Sequence, residues 1–141
     1  MSAASNYLEN KVLDHTLGEG ARNFTSPATL YLALFNNTSS SASTNLEAGT
    51  LTDEVSTSGT AYSRQTVNFS TAVNGTAATD GTVTWTTATA NWGTVTHVAV
   101  MDGGTAGAGN VLFYGALTSS KLIETGDTFQ ISSTNLTVSL A

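Results

Sequence analysis

Few residues in this chain could carry chemistry, and their spacing limits what they could do. There are two histidines, no cysteine and ten carboxylates in 141 residues. His97 sits in the run ThrHisValAla, and His15 in ValLeuAspHis. Two imidazoles and an acid, Asp14 or Asp102, would make a zinc site only if a helix bearing His15 covered the end of the segment bearing His97. Nothing in the spacing requires that. His97 reads as a partly buried side chain bonded to a neighbour, and His15 as solvated or at an interface. A thiolate metal site and a disulfide are both excluded.

Hydrolysis of a glycosidic bond needs two carboxyl groups about 5–10 Å apart. Glu124 and Asp127 are close in sequence, but the GlyAsp step between them reads as a turn; Asp53 and Glu54 are adjacent, within a polar stretch. Ser and Thr supply 42 of the residues, yet no GxSxG elbow is present and a base is scarce. AspGlyGlyThrAlaGlyAlaGlyAsn (102–110) resembles a phosphate loop only superficially. It lacks the Lys–Ser/Thr end and no helix follows, so it reads as a flexible hairpin. Asp102 and Asn110 with loop carbonyls would be the oxygen donors for a calcium ion, a weaker reading of the same loop. The large aromatics Trp85 and Phe113 read as core. Trp92 reads as core or as an interface residue, and Tyr31 and Tyr62 can place a ring in an interface with the hydroxyl still bonded. No catalytic residue, cofactor-binding residue or metal ligand is therefore assigned, and the expectation is a binding or building module rather than an enzyme.

Composition points the same way. The charged fraction is 10 %, against roughly 25 % in ordinary globular proteins. The water-facing surface must be built from Thr, Ser, Asn and Gly, and Thr suits exposed strands. Low charge weakens repulsion between copies, which favours close-packed assemblies. The four cations, Lys11, Arg22, Arg64 and Lys121, are scattered against a net charge of −6. They cannot form the basic patch that nucleic acid or an anionic membrane needs. No apolar run is long enough to span a bilayer. The start, MSAASNYLENKVLDH, lacks the pattern of a secretory signal, so synthesis and folding in a cytoplasm are expected.

The elements that position these residues are mostly strands. Residues 5–17 form the one helix expected, with Asn6 as cap, Glu9 closing a capping box, a stripe of Leu8, Val12 and His15 widened by Leu13 and Leu17, and Gly18 and Gly20 as stops. Its apolar face must pack on its own sheets or on a neighbouring subunit. ThrLeuTyrLeuAlaLeuPhe (29–35) is apolar on both faces and reads as a central strand covered on both sides. Residues 36–60 are too polar and too long for an ordinary connection, and read as a functional loop or an arm reaching neighbours. Strands follow at 61–69, 82–86, 94–101, 111–116, 117–123, 128–131 and 136–140, with turns at 73–75, 102–104, 107–110 and 126–127. In the first of these, Val67 and Phe69 should face one way and Tyr62 and Arg64 the other. The expected fold is a single domain over 1–141: an all-β antiparallel sandwich of about eight strands, jelly-roll-like, with one short N-terminal helix.

Several segments together carry a resemblance. AlaSerAsnTyrLeuGluAsnLysValLeuAspHis, ThrLeuTyrLeuAlaLeuPhe, TyrSerArgGln and TrpGlyThrValThrHisValAlaVal, with AspGlyGly and AsnValLeuPheTyrGlyAlaLeu after it, resemble a family of small tailed-bacteriophage virion proteins. The resemblance runs over residues 5–140, and its members are described either as head-decoration or as tail-fibre proteins. It implies a virion structural protein without catalytic residues. The first expectation is a capsid cement that bridges major capsid protein subunits on the outer surface of the head as a homotrimer, with the helix and the 36–60 stretch touching neighbours. The second is a tail, baseplate or fibre component that contacts a tail partner or a host glycan, and that version should expose aromatics.

Overall fold

The computed structural model describes residues 2–140. It contains β1 (Ala3–Ala4), α1 (Asn6–Leu17), β2 (Leu30–Phe35), α2 (Ala42–Glu47), β3 (Gln65–Val67), β4 (Thr76–Ala78), β5 (Val83–Thr84), β6 (Gly93–Met101), β7 (Val111–Ile123), β8 (Gln130–Ile131) and β9 (Thr137–Ser139). Five strands form one antiparallel sheet in the order β1-β7-β6-β2-β3. Two antiparallel ladders, β4–β9 and β5–β8, complete the β structure. The all-β antiparallel class and the N-terminal helix are as expected. The strands divide five, two and two, and several of the expected ones are shorter.

Apolar alternation explains the layers. Along β2, Leu32 and Leu34 face one way and Ala33 and Phe35 the other, and all four are fully buried. On the first side the larger core joins Leu32, Leu34, Val98 and Val100 of the sheet to Val83, Trp85, Phe129 and Ile131 of the β5–β8 layer. Trp85 and Phe129 meet edge to face at 5.3 Å there. On the second side Ala33, Phe35, Ala99, Met101 and Val111 are covered by Leu46 of α2. The central-strand expectation therefore holds, with α2 as the cover on that side.

The 36–60 stretch is folded onto its own sheet instead of extending as an arm. Ala42, Leu46, Asp53, Val55 and Thr60 are buried. Its neck is closed by backbone bonds from Asn36 N–H to the Asp53 carbonyl (2.9 Å) and from Val55 N–H to the Leu34 carbonyl (3.0 Å). Two leucines, Leu46 and Leu51, and Val55 among many hydroxyls are enough apolar area to dock a compact loop.

Helix α1 is capped by Ser5, not Asn6. The Ser5 hydroxyl accepts from Leu8 N–H at 3.3 Å and donates to the Val111 carbonyl, while Ser5 N–H donates to the Leu112 carbonyl at 2.9 Å. With the cap at Ser5, the third helical residue is Leu8, so Glu9 closes no capping box. Leu8 enters the core, with Tyr7 and Val12 packed at its edge; Leu13 and Leu17 are 55 % and 72 % exposed. The first half of the helix thus packs at home and the second half presents leucines to solvent.

Residues 111–123 form one strand rather than two. Against β6 the register jumps from His97↔Ala116 to Val95↔Lys121, so 117–120 bulge from the ladder. At the far end, Asn74 and Gly75 both have positive φ, as a two-residue hairpin turn between Val73 and Thr76 requires.

Candidate interaction surface

The carboxylates weighed as catalytic pairs are occupied by structural bonds. Asp127 Oδ2 accepts from Glu124 N–H at 2.9 Å, and Asp127 N–H donates back to the Glu124 carbonyl at 3.0 Å, so the pair closes a turn. Asp53 and Glu54 diverge. Asp53 accepts from Thr38 Oγ1 (3.0 Å), Ser39 N–H (2.9 Å) and Ser39 Oγ (2.5 Å). Burial alone would raise its pKa; the bonds from Ser39, Thr38 and Asn45 outweigh that and hold it below the usual value.

Glu54 instead pairs with Arg64. Arg64 Nε and Nη2 donate to Glu54 Oε1 and Oε2, each at 2.8 Å, and Nη1 donates to the carbonyls of Gly103 (2.7 Å) and Ala108 (2.9 Å). Gly107 N–H reaches Glu54 Oε2 at 2.7 Å. Tyr62 completes the cluster, donating to Glu54 Oε1 at 3.1 Å and accepting from Leu34 N–H at 3.0 Å. Burial first, and the Glu54 charge second, push the Tyr62 phenol above its ordinary pKa.

This corrects two expectations. Tyr62 and Arg64 are buried, and Tyr62 packs in the same core as Val67 rather than on the opposite face. Ala61 has a positive φ and β3 begins only at Gln65, so the strand alternation does not reach them. Loop 102–110 is pinned rather than flexible. The guanidinium occupies its inward carbonyls, and Asp102 clamps its base by accepting from Asn110 N–H and Nδ2, each at 2.7 Å. Gly104 lies so close to Tyr31 that an added Cβ would be 2.8 Å from the ring.

His97 is buried, with Nε2 2.9 Å from Ser43 Oγ and Nδ1 2.8 Å from Thr96 Oγ1. His15 is exposed on α1. Among the described residues, no group of three or more His, Cys, Asp or Glu is placed to hold a metal ion. The Ser43–His97 contact joins residues 54 apart, and no local pattern announces it. The aromatics also point inward: Trp85, Trp92 and Tyr62 are buried, Trp92 Nε1 donates to the Thr60 carbonyl at 2.9 Å, and the Tyr62 and Trp92 rings meet edge to face at 5.5 Å.

What remains open to a partner is apolar surface. A groove of about 510 Å³ runs between β7 and the β8–β9 segment, with Phe113, Leu117, Ile131, Leu136 and Val138 in its walls and Lys121 among its lining residues. A second hollow of about 260 Å³ adjoins it through Val100, Phe113 and Val138 and ends at Leu140. Leu13 and Leu17 of α1, Val73, Leu122 and Leu140 are the large exposed apolar residues. Sequence periodicity could not reveal the groove, because it arises between segments rather than along one. Among the described residues, no helix is long and apolar enough to cross a membrane.

Comparison with known proteins agrees with the sequence resemblance. No curated protein matches the chain. A family model described as podophage GP4 fiber I protein gp80 matches residues 3–139. The match spans every strand and both helices, and on it the chain belongs to this family of phage virion structural proteins.

Proposed function

We propose that the chain is a structural subunit of a tail-fibre apparatus that works through contacts between protein surfaces and not through catalysis. The observation that carries this reading is the match to a fibre protein family over nearly the whole chain. Its physical support is the distribution of polar and apolar groups. The carboxylates best placed to act in pairs are held in turns and in a buried ion pair, whereas apolar side chains line an open groove and project from α1. Burial of Trp85, Trp92 and Tyr62 favours subunit contact over stacking on a host glycan. The cation-poor composition supports partners that are neither nucleic acid nor anionic membrane. Self-association is part of the proposal, because low net repulsion and unpaired apolar residues both promote it.

Cryo-electron microscopy of the particle tests the reading. Density fitting this fold in fibres at the tail is the expected result. Density at capsomer junctions on the head would replace it with the cement reading and make the major capsid protein the partner.

A further inference from the structure

We propose that residues 37–52, with α2 at their centre, form a flap that opens under mild acid and uncovers the apolar face of Ala33, Phe35, Ala99, Met101 and Val111. The flap's ends meet at a neck, where Asn36 N–H donates to the Asp53 carbonyl at 2.9 Å. Asp53 at the neck also accepts from the flap's Thr38, Ser39 and Asn45; beyond these bonds the flap has few anchors on the sheet. Ala42 and Leu46 are its buried apolar residues, with Leu51 half-buried. Two side-chain bonds reach from α2 to the sheet: Ser43 to His97 on β6, and Glu47, whose Oε2 accepts from the Tyr114 hydroxyl on β7 at 3.1 Å. A unit with so few anchors opens locally at lower cost than the strands beneath it.

His97 makes that opening sensitive to pH. Its ring lies under the flap, 8 % exposed, between two neutral hydroxyls, Ser43 and Thr96. Both can satisfy a neutral ring, so the closed flap does not require the charged form. Burial disfavours the imidazolium; the Asp53 carboxylate favours it, and burial prevails, so the pKa lies below the ordinary histidine value. Opening hydrates the ring and restores that value. The closed state therefore keeps its full advantage above about pH 6.5, the unperturbed histidine value, and loses it as protons bind the open state below. Elsewhere along the flap Glu47 on α2 and Tyr114 on β7 bond each other, with Glu9 of α1 acting on Tyr114. Asp53 at the neck, held below its usual pKa, stays ionised throughout this range.

Hydrogen exchange read by mass spectrometry on the full chain at about pH 7 and about pH 5 tests the flap. After correction for intrinsic exchange, peptides covering 37–52 should exchange several-fold faster at the lower pH, with those of β2 and β6 unchanged. No increase in 37–52, or an equal increase in β2 and β6, would overturn the proposal. A second measurement needs no change to the flap. NMR titration of His97, with His15→Gln removing the other imidazole signal, should give a midpoint that coincides with the loss of flap protection. A separation of more than about one pH unit between the two would overturn the assignment to His97.

Discussion

Glu54 and Arg64 face each other through two parallel bonds of 2.8 Å, with side chains only 4 % and 0 % exposed. Ten residues apart in sequence, they hold together the folded end of the 36–60 stretch, the entry to β3 and the loop at 102–110. A pair this buried gives up hydration on both sides, so its worth lies in the number of groups it satisfies together. The guanidinium also serves two loop carbonyls, and the carboxylate serves Tyr62 and Gly107.

Removing one partner should therefore cost more than any surface substitution. Arg64→Met leaves the Glu54 carboxylate buried and two loop carbonyls without donors. A loss of about 3–5 kcal/mol is expected, measured by urea unfolding. Arg64→Lys should recover only part of this, because an ammonium cannot match the carboxylate fork while reaching Gly103 and Ala108. A loss under about 1 kcal/mol for Arg64→Met would mean that the cluster is hydrated in solution.

The strands were legible where side chains alternate and pack: residues 30–35, 93–101 and 111–116 have few alternatives. Helix α2 was not, because AlaSerThrAsnLeuGlu offers three poor helix formers and one leucine, and the fold comes from Leu46 docking rather than from propensity. The reading that set Tyr62 and Arg64 on the face opposite Val67 failed for a different reason. A positive φ at Ala61 resets the direction of the side chains, and nothing in AlaTyrSerArg signals it. The buried pair and the groove are products of distant segments meeting, which periodicity along one segment cannot report.

Asp53 should make stability fall in acid. Its pKa is lowered on folding, because hydrogen bonds outweigh burial. Protons therefore bind the unfolded chain more readily, and the stabilisation is present above the unfolded value of 3.8 and lost as pH falls through the lower folded one. Unfolding free energy measured from about pH 5 down to about pH 2 should show this decline. Asp53→Asn should be less stable than wild type at neutral pH and show a shallower acid slope. An unchanged slope would place the acid sensitivity elsewhere.

Ser5 is the small residue with the largest expected effect. Its hydroxyl caps α1 and ties the Val111 carbonyl, and the residue is fully buried. Ser5→Ala removes both bonds and leaves a buried carbonyl without its partner, at a cost of about 1–3 kcal/mol. Thermal unfolding followed by circular dichroism measures it. Asn6→Ala, one residue later, should be nearly neutral, and the reverse ranking would restore the cap to Asn6.

Leu13 and Leu17 separate folding from assembly. They lie one turn apart on α1, on the half of the helix that leaves the core, and are more than half exposed. Their replacement by Gln removes no buried contact within the subunit, so the double variant should keep wild-type stability to within about 0.5 kcal/mol. Assembly should respond differently. If these leucines are covered in the fibre, the variant should sediment as a smaller species than wild type, or load onto particles at least tenfold less well. Wild-type sedimentation and wild-type loading together would show that this end of the helix stays in water, leaving the groove between β7 and β9 as the surface through which the proposed assembly must run.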